Sequence, residues 1–262
     1  MSEVSDLSGL AKEQIVSLAR GNNEFISNNS IPDHLTKGQQ PSIILYMCSD
    51  SRIQMNHIAP LSKEGYDPLN RIFTIENAGN RIDHPSFSAS GSYAGMHISS
   101  TSLLCILGHT GCGAVDAVST MGEDSIKKEL PDLAEYLLQM KTYLTGNFKG
   151  LSNFKGEDVF SDSISARSSL AELNVDFQVA TALNIYRKLV DAGKLTVIGG
   201  MTDLHNLYGK QRGKIYITNF NGVTNVNSLE GLSLDENSKR LTGGIPPDKI
   251  KLMQYETKWQ LM

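Results

Sequence analysis

Leu103-Leu-Cys-Ile-Leu-Gly-His109-Thr-Gly-Cys112-Gly113 is the stretch on which the fold turns. Leu103–Leu107 is a short, unbroken apolar run, the pattern of a strand buried on both faces. The glycine-rich turn behind it opens a helix. Outward in both directions the same signal returns. Ser42-Ile-Ile-Leu-Tyr-Met47, bounded by Pro41 and a polar turn, reads as a first buried strand, and Arg71-Ile-Phe-Thr-Ile75 as a second. Leu195-Thr-Val-Ile-Gly199 is a fourth and Lys214-Ile-Tyr-Ile-Thr218 a candidate fifth.

Helical segments fall between and before these strands. Residues 8–29 carry Leu10, Ile15, Leu18, Phe25 and Ile26 at helical spacing behind Ser8 as N-cap, with Gly21 a point where the helix divides in two. Residues 85–99 combine many small residues with Phe87, Tyr93, Met96 and Ile98, a helix whose small face admits another backbone closely. Residues 130–144 form another helix. Residues 170–192 give the clearest, with Leu173, Val179, Leu183, Tyr186 and Val190 on its stripe and Gly193 as its stop. Ser62–Asn70 reads as a loop, Asn77–Asn80 as a turn, and 146–169, rich in Gly, Ser and Asp, as a surface insertion. This alternation predicts an α/β fold with a mostly parallel sheet of four to five strands flanked by helices.

The chain has 262 residues, enough for one large core. Lys and Arg number 24 against 28 Asp and Glu, so no basic excess points to nucleic acid. No apolar run approaches the ~20 residues of a membrane span, and Met1–Asp6 lacks the pattern of a secretory signal. The odd count of 3 cysteines argues against a disulfide framework. A reducing, cytoplasmic setting is expected.

In parallel sheets, ligands sit at the carboxyl ends of strands. Cys48 follows the first strand directly, and His109 and Cys112 follow the third. If those strands are neighbours, two thiols and an imidazole meet at one sheet edge, a donor set that zinc favours. Each signal alone is weak: His-x-x-Cys recurs by accident, and Cys48 alone reads equally as a small buried residue. Asp50 then has two possible uses, closing the site as a ligand or accepting a hydrogen bond from bound water. Arg52 has the fork geometry to hold a carboxylate off a metal. An ordinary turn with a surface ion pair remains the alternative.

Cys48-Ser-Asp50-Ser-Arg52 followed by His109-Thr-Gly-Cys112-Gly resembles the β-class carbonic anhydrases. Asn77-Ala-Gly-Asn80 resembles that family's turn after the second strand, and Glu172-Leu-Asn-Val175 with Gln178 its long helix. The resemblance runs from about Gly38 to about Gly200. It implies one zinc per subunit on Cys48, His109 and Cys112. Asp50 and Arg52 would form a catalytic gating dyad, with Asp50 the fourth ligand in a closed state. Gln39 by its spacing to Cys48, together with Phe73, Ala78 and Tyr93, would line a plant-type-like substrate pocket. It further implies a homodimer or higher even oligomer, with residues 1–35 an N-terminal helical arm, 36–220 the catalytic core and 221–262 a C-terminal extension of a single domain.

The implied activity is reversible hydration of carbon dioxide to bicarbonate by zinc-bound hydroxide. Alternatives on the same site are hydrolysis of carbonyl sulfide or carbon disulfide, or a non-catalytic zinc-binding structural or regulatory protein. Glu76 departs from the family, where many relatives carry a basic residue. His34, His57, His84, His97 and His205 are candidates for a proton shuttle by residue type alone.

Overall fold

A computed structural model describes residues 9–28, 37–55, 70–98, 100–209 and 211–224. The Ser8 cap, His34, His57, the loop ahead of Asn70 and nearly all of the 221–262 extension lie outside these residues. The chain divides into two units, one ending at Gln39 and the other beginning at Gln40.

In the first unit, α1 (Gly9–Asn28) is a single uninterrupted helix. Gly21 does not divide it: one interior glycine costs about 1 kcal/mol relative to alanine, which a long helix tolerates. Ile15, Val16 and Leu18 are exposed.

The second unit holds a five-stranded sheet in the order β2-β1-β3-β4-β5. Its strands are β1 (Ile43–Cys48), β2 (Ile72–Asn77), β3 (Leu103–His109), β4 (Thr196–Asp203) and β5 (Lys214–Phe220). The first four run parallel, and β5 pairs antiparallel with β4. β1 has its successors β2 and β3 on opposite sides, so the chain switches direction across the sheet there. Ile44–Cys48 and Leu104–His109 are buried, as continuous apolar strands covered on both faces require.

Helices α2 (Pro85–His97), α3 (Gly113–Thr120), α4 (Glu123–Glu129), α5 (Ala134–Phe148), α6 (Ile164–Ile185) and α7 (Arg187–Asp191) complete the fold. The small face expected on α2 is used: a Cβ at Gly91 would lie 2.0 Å from the Tyr46 hydroxyl oxygen. α6 also packs closely on the sheet. A Cβ at Gly108 of β3 or at Gly199 of β4 would lie 2.7 Å from a Val175 methyl.

Two readings need correction. The surface segment expected over 146–169 is shorter and better anchored than its composition suggests: Phe154 is exposed, but the segment is pinned from within. Phe148, Leu151 and Val159 are buried, and residues from Ile164 on are already helix α6, with Ser165, Ala166, Ser168 and Ser169 buried. Polar composition misleads here because small hydroxyl residues fit where a helix packs tightly, and Ser169 returns its hydroxyl to the Ser165 carbonyl. The helix expected over 170–192 is two helices. α6 begins earlier, breaks at Tyr186, and is buried on every side from Leu170 to Val179 rather than along one stripe.

Candidate metal centre

β1 and β3 pair directly, with Met47 opposite Leu107. Their carboxyl ends therefore place Cys48 and His109 together. Gly111, at φ +65°, turns the chain so that Cys112 returns to the same point and starts α3. The ligand atoms of Cys48, His109 and Cys112 all lie within 4.8 Å of one another, and the three residues are buried. The two sulfurs are 4.0 Å apart.

The histidine is oriented for coordination. Its Nδ1 lies 3.2 Å from the Thr110 carbonyl oxygen, which can only accept, so Nδ1 carries the proton. Nε2, buried and without a hydrogen-bond partner among the described residues, lies beside the two thiols. An orphaned buried nitrogen is costly unless something else fills its coordination. Two thiols and this nitrogen suit zinc.

The sulfurs are prepared to carry charge. Contact with Cys112 holds the Cys48 thiol below the ordinary range; the same contact and burial push Cys112 up. The pair thus shares a proton that a cation would displace. The Gly79 N–H donates to Cys48 Sγ at 3.4 Å, and backbone N–H groups of Val115 and Ala114 favour the Cys112 thiolate.

Arg52 grips Asp50 through both prongs, Nε to Oδ1 at 2.9 Å and Nη2 to Oδ2 at 2.6 Å. The Arg52 backbone N–H adds a bond to Oδ1, and Nη2 also donates to the Gly111 carbonyl at 3.0 Å. Hydrogen bonds from Arg52 hold the Asp50 carboxyl down to about 2. Asp50 Oδ2 stands 3.7 Å from His109 Nε2, beside the ligand cluster.

A second layer supports the first. Thr110 Oγ1 accepts from the N–H groups of Leu204 and His205 and lies 2.9 Å from His205 Nδ1. The Asp203 carboxylate accepts N–H bonds from His205, Leu207 and Tyr208. Tyr136 donates its hydroxyl to Asn77 Oδ1 and the Ala78 carbonyl, and Asn174 donates to the Gly79 carbonyl. Sequence reasoning did not single out Asp203 or Tyr136. The signal for Asp203 was its place at the carboxyl end of a third parallel strand; Tyr136, on α5, has no such signal.

The cluster unites Cys48, His109, Cys112, Asp50 and Arg52. Ala78 adjoins it, between Asn77, the register partner of Cys48, and Gly79, whose N–H reaches Cys48 Sγ. Phe73, on β2, and Ala78, after it, are half-buried. Tyr93 is 53% exposed on α2, its ring near His97. Gln39 is exposed at the end of the first unit.

A buried Cys-His-Cys triplet able to hold a metal ion, at the switch point of a mostly parallel sheet, defines a protein of the α/β class with a candidate metal site. The carbonic anhydrase family model matches residues 43–210, and the chain belongs to that family, in its β class. It is 27% identical over 153 residues to a carbonic anhydrase of Synechocystis sp., covering 57% of this chain and 53% of that one. A carbonic anhydrase of Helicobacter pylori is 26% identical over 208 residues, 76% of this chain and 85% of the relative. The match spans only 53% and 64% of two cyanobacterial relatives. The solved β-carbonic anhydrase CcaA shares the fold at a TM-score of 0.60 and 20% identity, over 86% of this chain and 97% of that one. A tetrameric β-carbonic anhydrase from Sordaria macrospora does so at 0.57 and 21%, over 79% and 94%.

Proposed function

We propose that this chain is a zinc-dependent carbonic anhydrase, catalysing reversible hydration of carbon dioxide to bicarbonate. The observation that carries this reading is the buried His109 Nε2, unpartnered among the described residues and beside two thiols, with an Arg-clamped carboxylate at its side. Cys48, His109 and Cys112 would hold one zinc ion, which would supply Lewis acidity for water to attack carbon dioxide near neutral pH. Arg52 keeps Asp50 turned away from the remaining coordination position. Held there, the carboxylate accepts a hydrogen bond from the attacking water and orients it. The N–H groups that reach the two sulfurs disperse their negative charge and so offset the weaker acidity of a thiolate-bound metal. Gln39, Phe73, Ala78 and Tyr93 are proposed as substrate-pocket residues, completed in a homodimer or larger even assembly. α1 serves as the arm between its subunits. No helix among the described residues is long and apolar enough to cross a membrane.

The test is metal analysis of the purified chain beside stopped-flow carbon dioxide hydration. One zinc per chain with hydration well above background supports the reading. Full zinc occupancy with background hydration across neutral and alkaline pH overturns it.

A further inference from the structure

A cavity of about 730 Å³ opens beside Arg52, lined by the carboxyl end of β4, the start of β5 and the residues just before it. Arg52, Arg212 and Lys214 line it, and none of its lining residues is acidic. In a chain of net charge −4, three cations converge on this one cavity, Arg52 paired with Asp50 and Lys214 5.5 Å from the Tyr216 ring centroid. A second observation points the same way. Thr202 lines the cavity at 5% exposure, and its buried Oγ1 has no hydrogen-bond partner among the described residues. Arg52 spends Nε and Nη2 on Asp50 and Gly111, and Nη1 makes none of those bonds. Ile53, Leu204 and Ile215 supply apolar wall.

We infer that this cavity is a binding site for a small phosphate monoester, whose phosphate engages Arg52, Arg212, Lys214 and the Thr202 hydroxyl while its carbon body lies on the apolar wall. Guanidinium forks match phosphate oxygens. The volume exceeds what a bare oxyanion fills and falls in the range of metabolite-sized pockets. An occupant competes with Asp50 for the Arg52 guanidinium, loosening the clamp and slowing hydration. Binding itself does not depend on the carbonic anhydrase reading; its effect on the dyad does.

Phenyl phosphate is the probe, with inorganic phosphate and phenol as its two halves. Calorimetry on the zinc-loaded full chain should give saturable binding of phenyl phosphate, weaker binding of phosphate, and none of phenol. Arg212→Ala, a change at an exposed residue, should weaken phenyl phosphate by roughly tenfold, the loss expected for one charge-assisted contact. Thr202→Val should weaken it less. Phenyl phosphate should slow hydration by the wild type more than by Arg212→Ala, with equal rates in its absence. No saturation at millimolar probe overturns the site, as does equal affinity in Arg212→Ala, which would place the anion on the metal. Saturable, Arg212-dependent binding in a chain that hydrates no carbon dioxide would leave the site standing and sink the proposed activity.

Discussion

At the scale of single residues, the proposed chemistry depends on three side chains doing different jobs. Cys112 is both a proposed ligand and the N-cap of α3. Cys112→Ala should bring zinc content close to zero and abolish hydration together, read by metal analysis and stopped flow; retained zinc would show that the triplet is not the binding set. Arg52 acts through Asp50. With the fork removed, Asp50 Oδ2, 3.7 Å from His109 Nε2, is free to swing onto the metal. Arg52→Ala should therefore keep zinc but lower kcat/KM by about 10–100-fold, the usual effect of losing a group that orients a metal site. X-ray absorption should then report an oxygen ligand from the protein. An unchanged rate and an unchanged coordination sphere would exclude gating. Nothing in Asp-x-Arg alone distinguishes this pair from a surface salt bridge. The carbonyl of Gly111, which also holds Arg52, ties it to the metal turn.

At the scale of elements, α6 decides the packing. Its Val175 meets Gly108 and Gly199, glycines on adjacent strands. Gly199→Ala forces a Cβ to 2.7 Å from Val175 and should destabilise the fold by about 1–3 kcal/mol, measured by urea denaturation. Adding Val175→Ala should restore part of that loss, since the clash is with its methyl. The start of α6 is held by Ser163, whose side chain accepts the Ala166 N–H, and by Glu157, which accepts from Ser163, Ser165 and Asn153. These hydrogen bonds, from Ser165 first, hold the Glu157 carboxyl down to about 2 from an ordinary 4.5. A depressed folded value stabilises the protein above the unfolded value and loses that contribution as pH falls toward the folded one. Glu157→Gln should therefore lower stability at neutral pH and flatten its decline between about pH 4.5 and pH 2. Acid titrations followed by circular dichroism test this; identical acid limbs would contradict it. The cap was hidden in a stretch whose Gly, Ser and Asp content reads as loop.

At the scale of the whole molecule, the proposed assembly is expected to use the exposed apolar residues of α1. Leu18 is 75% exposed, and Ile15 and Val16 about half exposed. Such a row on one helix marks a contact surface. Leu18→Glu should shift sedimentation velocity toward smaller species while leaving the circular dichroism of the sheet unit unchanged; an unchanged sedimentation coefficient would remove α1 from the assembly.

The sequence by itself determined the strands, their parallel character and the two ligand-bearing turns, because unbroken apolar runs and glycine punctuation are local signals. It also carried the identity of the ligands, since thiols and imidazoles are rare enough in such turns to be noticed. Only the tertiary structure decided that Cys48 and the His109–Cys112 turn meet, since that depends on β1 pairing with β3 and not on either segment. The same holds for the anchoring of Phe148, Leu151 and Val159 in the core, for Asp203 and Tyr136 behind the site, and for the convergence of Arg52, Arg212 and Lys214. Strand order and backbone approach distance are properties of pairs of segments far apart in the chain, and no window of sequence contains both members.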